Sequence, residues 1–544
     1  MSGRLRSVSN RDEILSDPEL QKAVSRILQR SERQGNMSLV LDTFVDVGIL
    51  PQLDNQNNQI FYGRRGTGKT HVLRVLSSRL GENAKNTVSY IDARTLGSTS
   101  QFSDVDVPLQ QRCLALFRDI LLSVYDDLLR HIIEYPSQHA EEALRLADEL
   151  SLIVTEPTPQ MHESSLSVSR DGKQDDSMSA DVSLASVPSV KVELRHGASA
   201  SRNETETSKF SYHDKIIFPS LHRKLTQVLE KADTDLYILL DEWASLPVDI
   251  QPYLAEFLKR GVLPVQKATL KIASLEHRSA FSIRSRKLGF ELGADIATAP
   301  ELDEYYVFDR NPEHVTEIFS DILLKHLNSN LHPKYLAKEY GIDSAAKLAS
   351  RLFTEHATFG ELARASEGVV RDLINIFTHA FFNAFRRKRA RIDKKAVTES
   401  ARQWFEQDKQ TFLDDSMQRL LRRIVDEVIG KKKARSFLLP REHEKHPLIQ
   451  KLFDRRVIHQ VLRGYADKDN PGVRYNIYCL DYGTYVDLIG TSRQPELDFK
   501  ILDNEGEEEE GIIVPFDDKR SIRRIILDER VLPDIHEVKL EGHQ

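Results

Sequence analysis

The stretch "IFYGRRGTGKTHVL", residues 60 to 73, constrains this chain more than any other. Gly63, four residues, then Gly68, Lys69 and Thr70 complete the G-x-x-x-x-G-K-[ST] pattern. The pattern needs a strand before it and a helix after it, and both are predicted: the run Gln59–Tyr62 precedes it, and a helical pattern from His71 to Leu80 follows. Glycines at 63, 66 and 68 let the backbone wrap an anion and aim successive N–H groups at it. The helix start adds its positive end. Residues Gly63, Arg64, Arg65, Gly66, Thr67, Gly68, Lys69, Thr70 and His71 are thus the expected nucleotide cradle. Lys69 would reach the β- and γ-phosphates of ATP, and the Thr70 hydroxyl would ligate Mg²⁺.

Binding is not hydrolysis, which also needs a metal-holding aspartate and a carboxylate that positions water. The segment "LYILLDEW", residues 236–243, offers both. Its apolar run predicts a buried strand; Asp241 at the exit would hold Mg²⁺ through water, and Glu242 would orient or deprotonate the attacking water. A third strand, in "TLKIASLEHRSAF", is expected between these two, so that Ser274 or Arg278 would sense the γ-phosphate. In "SEGVVRDLINIF", Gly368 precedes a helix bearing Arg371, whose planar fork suits phosphate oxygens. Release of that arginine on loss of the γ-phosphate would change a domain angle.

Alternation predicts five strands of one parallel sheet, Gln59–Tyr62, Thr87–Asp92, Leu236–Asp241, Thr269–Ser274 and Tyr305–Asp309, with helices between them. This is an α/β sandwich that binds ligands at the carboxyl ends of its strands. The predicted organisation is an N-terminal helical extension (1–40), the nucleotide-binding core (41–310) with an insertion at 94–234, a helical lid (311–410), a winged helix (411–495) and an acidic linker with a tail (496–544). Within the insertion, residues 107–153 read as two amphipathic helices. Residues 156–210 are rich in Ser, Asp and Thr and read either as low-complexity disorder or as a projecting β-hairpin. The tail run "IRRIILDERVL" has no legible role.

Composition excludes several classes. No apolar run approaches the roughly 20 residues that span a bilayer, and the polar N-terminus, Met1 to Asp17, has no apolar region of a secretory signal. The expectation is a cytoplasmic protein without membrane partners. Two cysteines, Cys113 and Cys479, suffice for neither a disulfide framework nor a zinc site. Charge is uneven: residues 386–395, "RRKRARIDKK", carry seven basic residues against one acidic, while 507–510 is "EEEE".

The combination of "GRRGTGKT", "LLDEW", the "GVVRD" helix and a following winged helix resembles the AAA+ ATPases, a P-loop ASCE fold, and among them the origin-recognition and initiator branch. The resemblance spans about residues 40–490. It implies an ATP-bound core, a helical lid that closes on the nucleotide with Arg371 in its sensor motif, and a winged helix that often touches DNA; a motor acting on double-stranded DNA would in addition be a homo-oligomer with an arginine supplied across the interface. Departures exist: the 107–210 insertion is outside the minimal core, Trp243 and Pro247 follow the acidic pair, and "ASLEHRS" lacks the usual Asn. In these respects the chain resembles bacterial accessory ATPases of defence or mobile-element operons, which implies an operon-encoded protein partner.

Between residues 416 and 475, 15 Lys and Arg face 7 Asp and Glu. A basic winged helix puts one helix in the major groove and its hairpin on the backbone, with salt-dependent affinity. Arg455, Arg456, Arg463, Lys468 and Arg474 are the expected DNA contacts. Two functions compete: a motor or switch whose ATP turnover acts on DNA or loads a partner, and a signalling ATPase whose ATP-bound oligomer recruits a protein effector. Glu242 favours the first, since a nucleotide lock needs no water-activating acid. A small-molecule kinase is the weakest alternative, because a lid and a winged helix add nothing to phosphoryl transfer onto a metabolite.

Overall fold

The computed structural model describes residues 13–28, 35–97, 106–155, 158–161, 210–213, 216–431, 434–466, 472–484, 525–527 and 529–533. Its centre is a parallel sheet of five strands, β1 (Gln59–Tyr62), β2 (Asn86–Asp92), β3 (Asp235–Asp241), β4 (Ala268–Ser274) and β5 (Ala297–Thr298). The order is β2-β3-β4-β1-β5, so β4 does lie between the loop-bearing β1 and the acid-bearing β3. Register sets Tyr62 beside Ser274 and Asp92 beside Asp241, which brings the strand exits to one edge.

The two faces of the sheet follow from strand alternation. Ile60, Leu236, Ile238, Leu240 and Ile272 point into one core; Phe61, Tyr237, Leu239 and Ala273 point into the other. A sheet buried on both faces reads as the unbroken apolar run "LYILL". The first face is covered by α2 (Leu109–Glu134), α3 (Ala140–Thr155), α4 (Phe218–Ala232) and α5 (Gln251–Gly261). Three of these four helices come from the expected insertion at 94–234, which is therefore built into the core. Cys113, Leu116, Phe117, Ile120, Val124 and Leu128, at i, i+3, i+4 spacing on α2, are all buried against the sheet. The strands Thr158–Met161 and Phe210–His213 pair antiparallel. The rest of the predicted hairpin or disordered stretch, 162–209, lies outside the described residues.

The fifth strand departs from expectation. It is Ala297–Thr298, paired with Gln59 and Ile60, whereas Leu302–Tyr306 forms a 3-10 turn. Leu302 and Tyr306, four residues apart, enter the core together, and Tyr306 stacks on Phe319 at 5.8 Å. The aromatic residues that imitate a strand thus plug a turn.

The second face meets α1 (Lys69–Gly81) and a helical unit of α6 (Pro312–Asn328), α7 (His356–Ala365), α8 (Val370–Arg386) and α9 (Lys394–Trp404). Beyond it, α10 (Asp415–Val425), β6 (Ser436–Pro440), α11 (Pro447–Asp454), β7 (Ile458–Ala466) and β8 (Arg474–Leu480) form a C-terminal unit. Its antiparallel sheet has the order β6-β8-β7. The hairpin β7–β8 matches expectation, whereas β6 was not anticipated. The tail run also finds a place: Leu438 N–H donates to Ile525 O at 2.6 Å and Leu527 N–H to Leu438 O at 2.9 Å, which extends this sheet at β6.

A candidate nucleotide site at the strand exits

Directly after β1 the chain turns through Gly63–Gly68 into α1. Gly66 and Gly68 adopt φ of 87° and 103°, the left-handed region where a side chain is strained. Gly66 has a second reason: a Cβ there would lie 2.9 Å from Arg371 Cβ and 3.1 Å from Val369 Cγ1. The start of α8 therefore rests on the loop, and the Arg371 N–H donates to Gly66 O at 3.0 Å.

Lys69 is buried, and its Nζ donates to Gly63 O at 2.8 Å and Arg64 O at 2.9 Å. Burial pushes its ammonium down from the ordinary value, against the pull of Glu242, Asp303 and Asp241. Asp241 is fully buried beside Thr70, whose hydroxyl bonds its carboxylate. Asp241 Oδ1 accepts from Glu242 N–H at 2.8 Å, and Oδ2 accepts from the Tyr90 hydroxyl at 2.9 Å. Burial and the neighbouring Glu242 push this carboxyl up, while the Thr70 and Tyr90 bonds hold it down. Glu242 itself adopts a left-handed φ of 54°, uncommon outside glycine. Trp243, fully buried and stacked on Phe281 at 5.2 Å, anchors that turn.

The residues present fit ATP and Mg²⁺. Carbonyl oxygens engage Lys69 where a phosphate could replace them, and the buried Thr70–Asp241 pair offers oxygen donors of the kind Mg²⁺ takes, with water and phosphate completing the shell.

Other predicted site residues turn elsewhere. His71 Nε2 pairs with Val40 O at 2.7 Å and its ring packs on Phe44, so it braces the helix Met37–Thr43 instead of facing a phosphate. Arg65 is exposed at the loop's outer side, within electrostatic reach of Arg278 and Glu242. Ser274 is buried and bonds Ser279 across its own turn. Arg278 pairs with Asp454 of α11 at 2.5 Å, which points it at the C-terminal unit and away from a sensor role.

The expected DNA contacts need the largest correction. Arg456 is buried and ion-paired with Asp372 and Asp408. Arg463 reaches across to the core, with Nη1 2.8 Å from Glu276 Oε1 and 2.7 Å from Glu301 Oε1. Both side chains are consumed by contacts between units. Arg455 lies over the Phe412 ring at 5.2 Å, Arg474 is exposed and donates to Gly464 O at 3.3 Å, and Lys468 lies outside the described residues. Sequence reading missed Tyr90, Asp303 and His459. Tyr90 carried a signal, a polar-tipped residue on the strand beside β3; Asp303 and His459 carried none.

Residues 32–281, a little under half of the chain, match the family model described as ORC-CDC6-like. The comparison with curated proteins gives no match. Among solved structures the chain is similar to Cdc6p from Pyrobaculum aerophilum, at 13% identity over 87% of this chain and 97% of that one, with a TM-score of 0.30. It is similar to the ORC2 protein of Aeropyrum pernix at 12% identity over 85% and 93%, with a TM-score of 0.29. The Thermotoga maritima RuvB branch migration motor gives 12% identity over 87% and 100%, with a TM-score of 0.30.

Proposed function

We propose that this chain, whose residues 32–281 match the ORC-CDC6-like family model, is an initiator-like AAA+ ATPase that binds ATP with Mg²⁺, hydrolyses it, and uses the nucleotide state to set how its helical and C-terminal units sit on the core. The observation that carries the reading is convergence: the loop Gly63–Gly68, Lys69, Thr70, Asp241 and Glu242 meet at one sheet edge, and the Arg371 backbone caps the loop.

Loop N–H groups and Lys69 would hold the phosphates. Thr70 and Asp241 would hold Mg²⁺, which when bound neutralises charge on the phosphate oxygens. Tyr90 keeps one Asp241 oxygen engaged and so fixes the orientation of the other. Glu242, at the strained exit of β3, would orient the attacking water and take its proton.

The order of α10, β6, α11 and the hairpin β7–β8 supports reading the C-terminal unit as a winged helix. Action on double-stranded DNA or on a partner protein, as a homo-oligomer in the cytoplasm, is the setting we adopt. A bacterial defence or mobile-element role enters by analogy alone. A second reading, a signalling ATPase that recruits a protein effector, is favoured by the inward ion pairs of Arg456 and Arg463. ATP turnover and mass in solution, with and without double-stranded DNA at two salt concentrations, separate the two. Salt-sensitive stimulation by DNA supports the first; ATP-dependent assembly without a DNA effect supports the second. Undiminished ATP binding by Lys69→Ala would sink both.

A further inference from the structure

The first loop arginine stands where three parts of the molecule cross. Arg64 is only 5% exposed, and its backbone N–H donates to Asp303 Oδ2 at 2.8 Å. Its guanidinium then forks. Nε lies 3.4 Å from the same Asp303 of the core. Nη2 donates to Glu367 O at 3.0 Å, in the left-handed turn that launches α8. Nη1 bonds Nδ1 of His459 on β7 of the C-terminal unit.

From His459 the contacts continue without leaving the interior. With Nδ1 accepting from Arg64, its Nε2–H donates to Asp481 Oδ2 at 2.9 Å. The same Asp481 bonds Lys409, and Lys409 Nζ lies 3.0 Å from Asp372 Oδ2. Asp372 is the residue after Arg371; it also takes Trp404 Nε1–H at 3.1 Å and pairs with Arg456. His459, Asp481, Lys409, Asp372 and Arg456 are all buried. Burial lowers the His459 imidazole to about 3, which keeps Nδ1 an acceptor. For Asp372, burial opposes ionisation, but Arg456 and Lys409 outweigh it and hold the carboxylate at about 2.

A buried ionic chain is not needed for stability alone, because apolar side chains of similar volume serve as well. What distinguishes this one is its starting point. The carbonyls of Gly63 and Arg64 are the groups that engage Lys69. For Lys69 to reach a phosphate it must leave them, and the backbone at Arg64 is anchored at both its N–H and its side chain.

We propose that Arg64 is a positioning residue that ties the phosphate loop to the docking of the C-terminal unit through His459, Asp481, Lys409 and Asp372, so that nucleotide at the loop and release of that unit are linked. The proposal rests on the nucleotide reading of the loop. Linkage is reciprocal: whatever draws the C-terminal unit away strengthens ATP binding by the factor with which ATP favours its release.

The test uses the full chain with a fluorescent ATP analogue and Mg²⁺, and a distance probe between labels placed by Arg130→Cys and Lys451→Cys, both at exposed side chains. In wild type, ATP lengthens the distance. In Arg64→Ala and in His459→Phe the distance is already long without ATP, and affinity for the analogue rises by about fivefold or more. Arg64→Lys, which keeps the charge without the fork, follows Arg64→Ala. Affinity within twofold of wild type in both Arg64→Ala and His459→Phe, or a distance that still responds to ATP in them, overturns the coupling. A wild-type chain that binds no analogue overturns the nucleotide reading and this proposal together.

Discussion

Replacing His459 by phenylalanine flattens the response of stability to acid, by an amount that follows from its surroundings. The imidazole sits between Arg64 and Asp481 and is buried; burial drives its value from the ordinary 6.5 to about 3. Its folded value lies below its unfolded value, so below pH 6.5 the unfolded chain binds the extra proton and stability falls with falling pH. At about 1.4 kcal/mol per pH unit, and allowing for partial protonation near 6.5, the histidine removes about 2 kcal/mol between pH 7 and pH 5. The loss would continue toward pH 3, where the folded state also takes up the proton. Urea unfolding of wild type and His459→Phe at pH 7, 6 and 5 reads the difference. The variant is less stable at pH 7, because Arg64 and Asp481 lose a buried partner, yet the gap narrows by about 2 kcal/mol by pH 5. A gap that stays constant across this range refutes the neutral, buried histidine.

Other consequences are as specific. Tyr90→Phe removes the donor on Asp241 Oδ2; the Mg²⁺ concentration for half-maximal binding of the fluorescent ATP analogue should rise several-fold, while its binding without Mg²⁺ stays put. Gly66→Ala places a Cβ at φ 87° and against Arg371, with a cost of about 1–2 kcal/mol from the left-handed backbone alone; unchanged urea stability contradicts that geometry. Arg456→Met leaves Asp372 buried with Lys409 as its remaining cation and should lower stability by about 3–5 kcal/mol, whereas a solvated DNA contact at this position would cost almost nothing.

What the sequence disclosed was local. The loop motif, the Asp241–Glu242 pair and the burial of β3 are contiguous, because phosphate binding and strand burial each dictate neighbouring residues. Even the place of β4 followed from the motif. What stayed hidden depends on distant partners. Arg456 meets Asp372 across 84 positions, and Arg463 meets Glu276 across 187, so a stretch that reads as a basic surface is an internal seam. Tyr305–Asp309 misled for a similar reason: its aromatic pattern suits a strand, but Tyr306 finds its partner, Phe319, on a helix. The 94–234 segment reads as an insertion because no motif marks a layer of the core, although the apolar face of α2 is periodic throughout.

The account depends most on Glu242 as the water-positioning acid. The direct measurement is single-turnover hydrolysis of γ-labelled ATP by wild type and Glu242→Gln, each shown beforehand to bind the fluorescent ATP analogue. The account predicts equal binding and a hydrolysis rate lower by about 10²–10⁴ in the variant. Equal rates in the two proteins would contradict it.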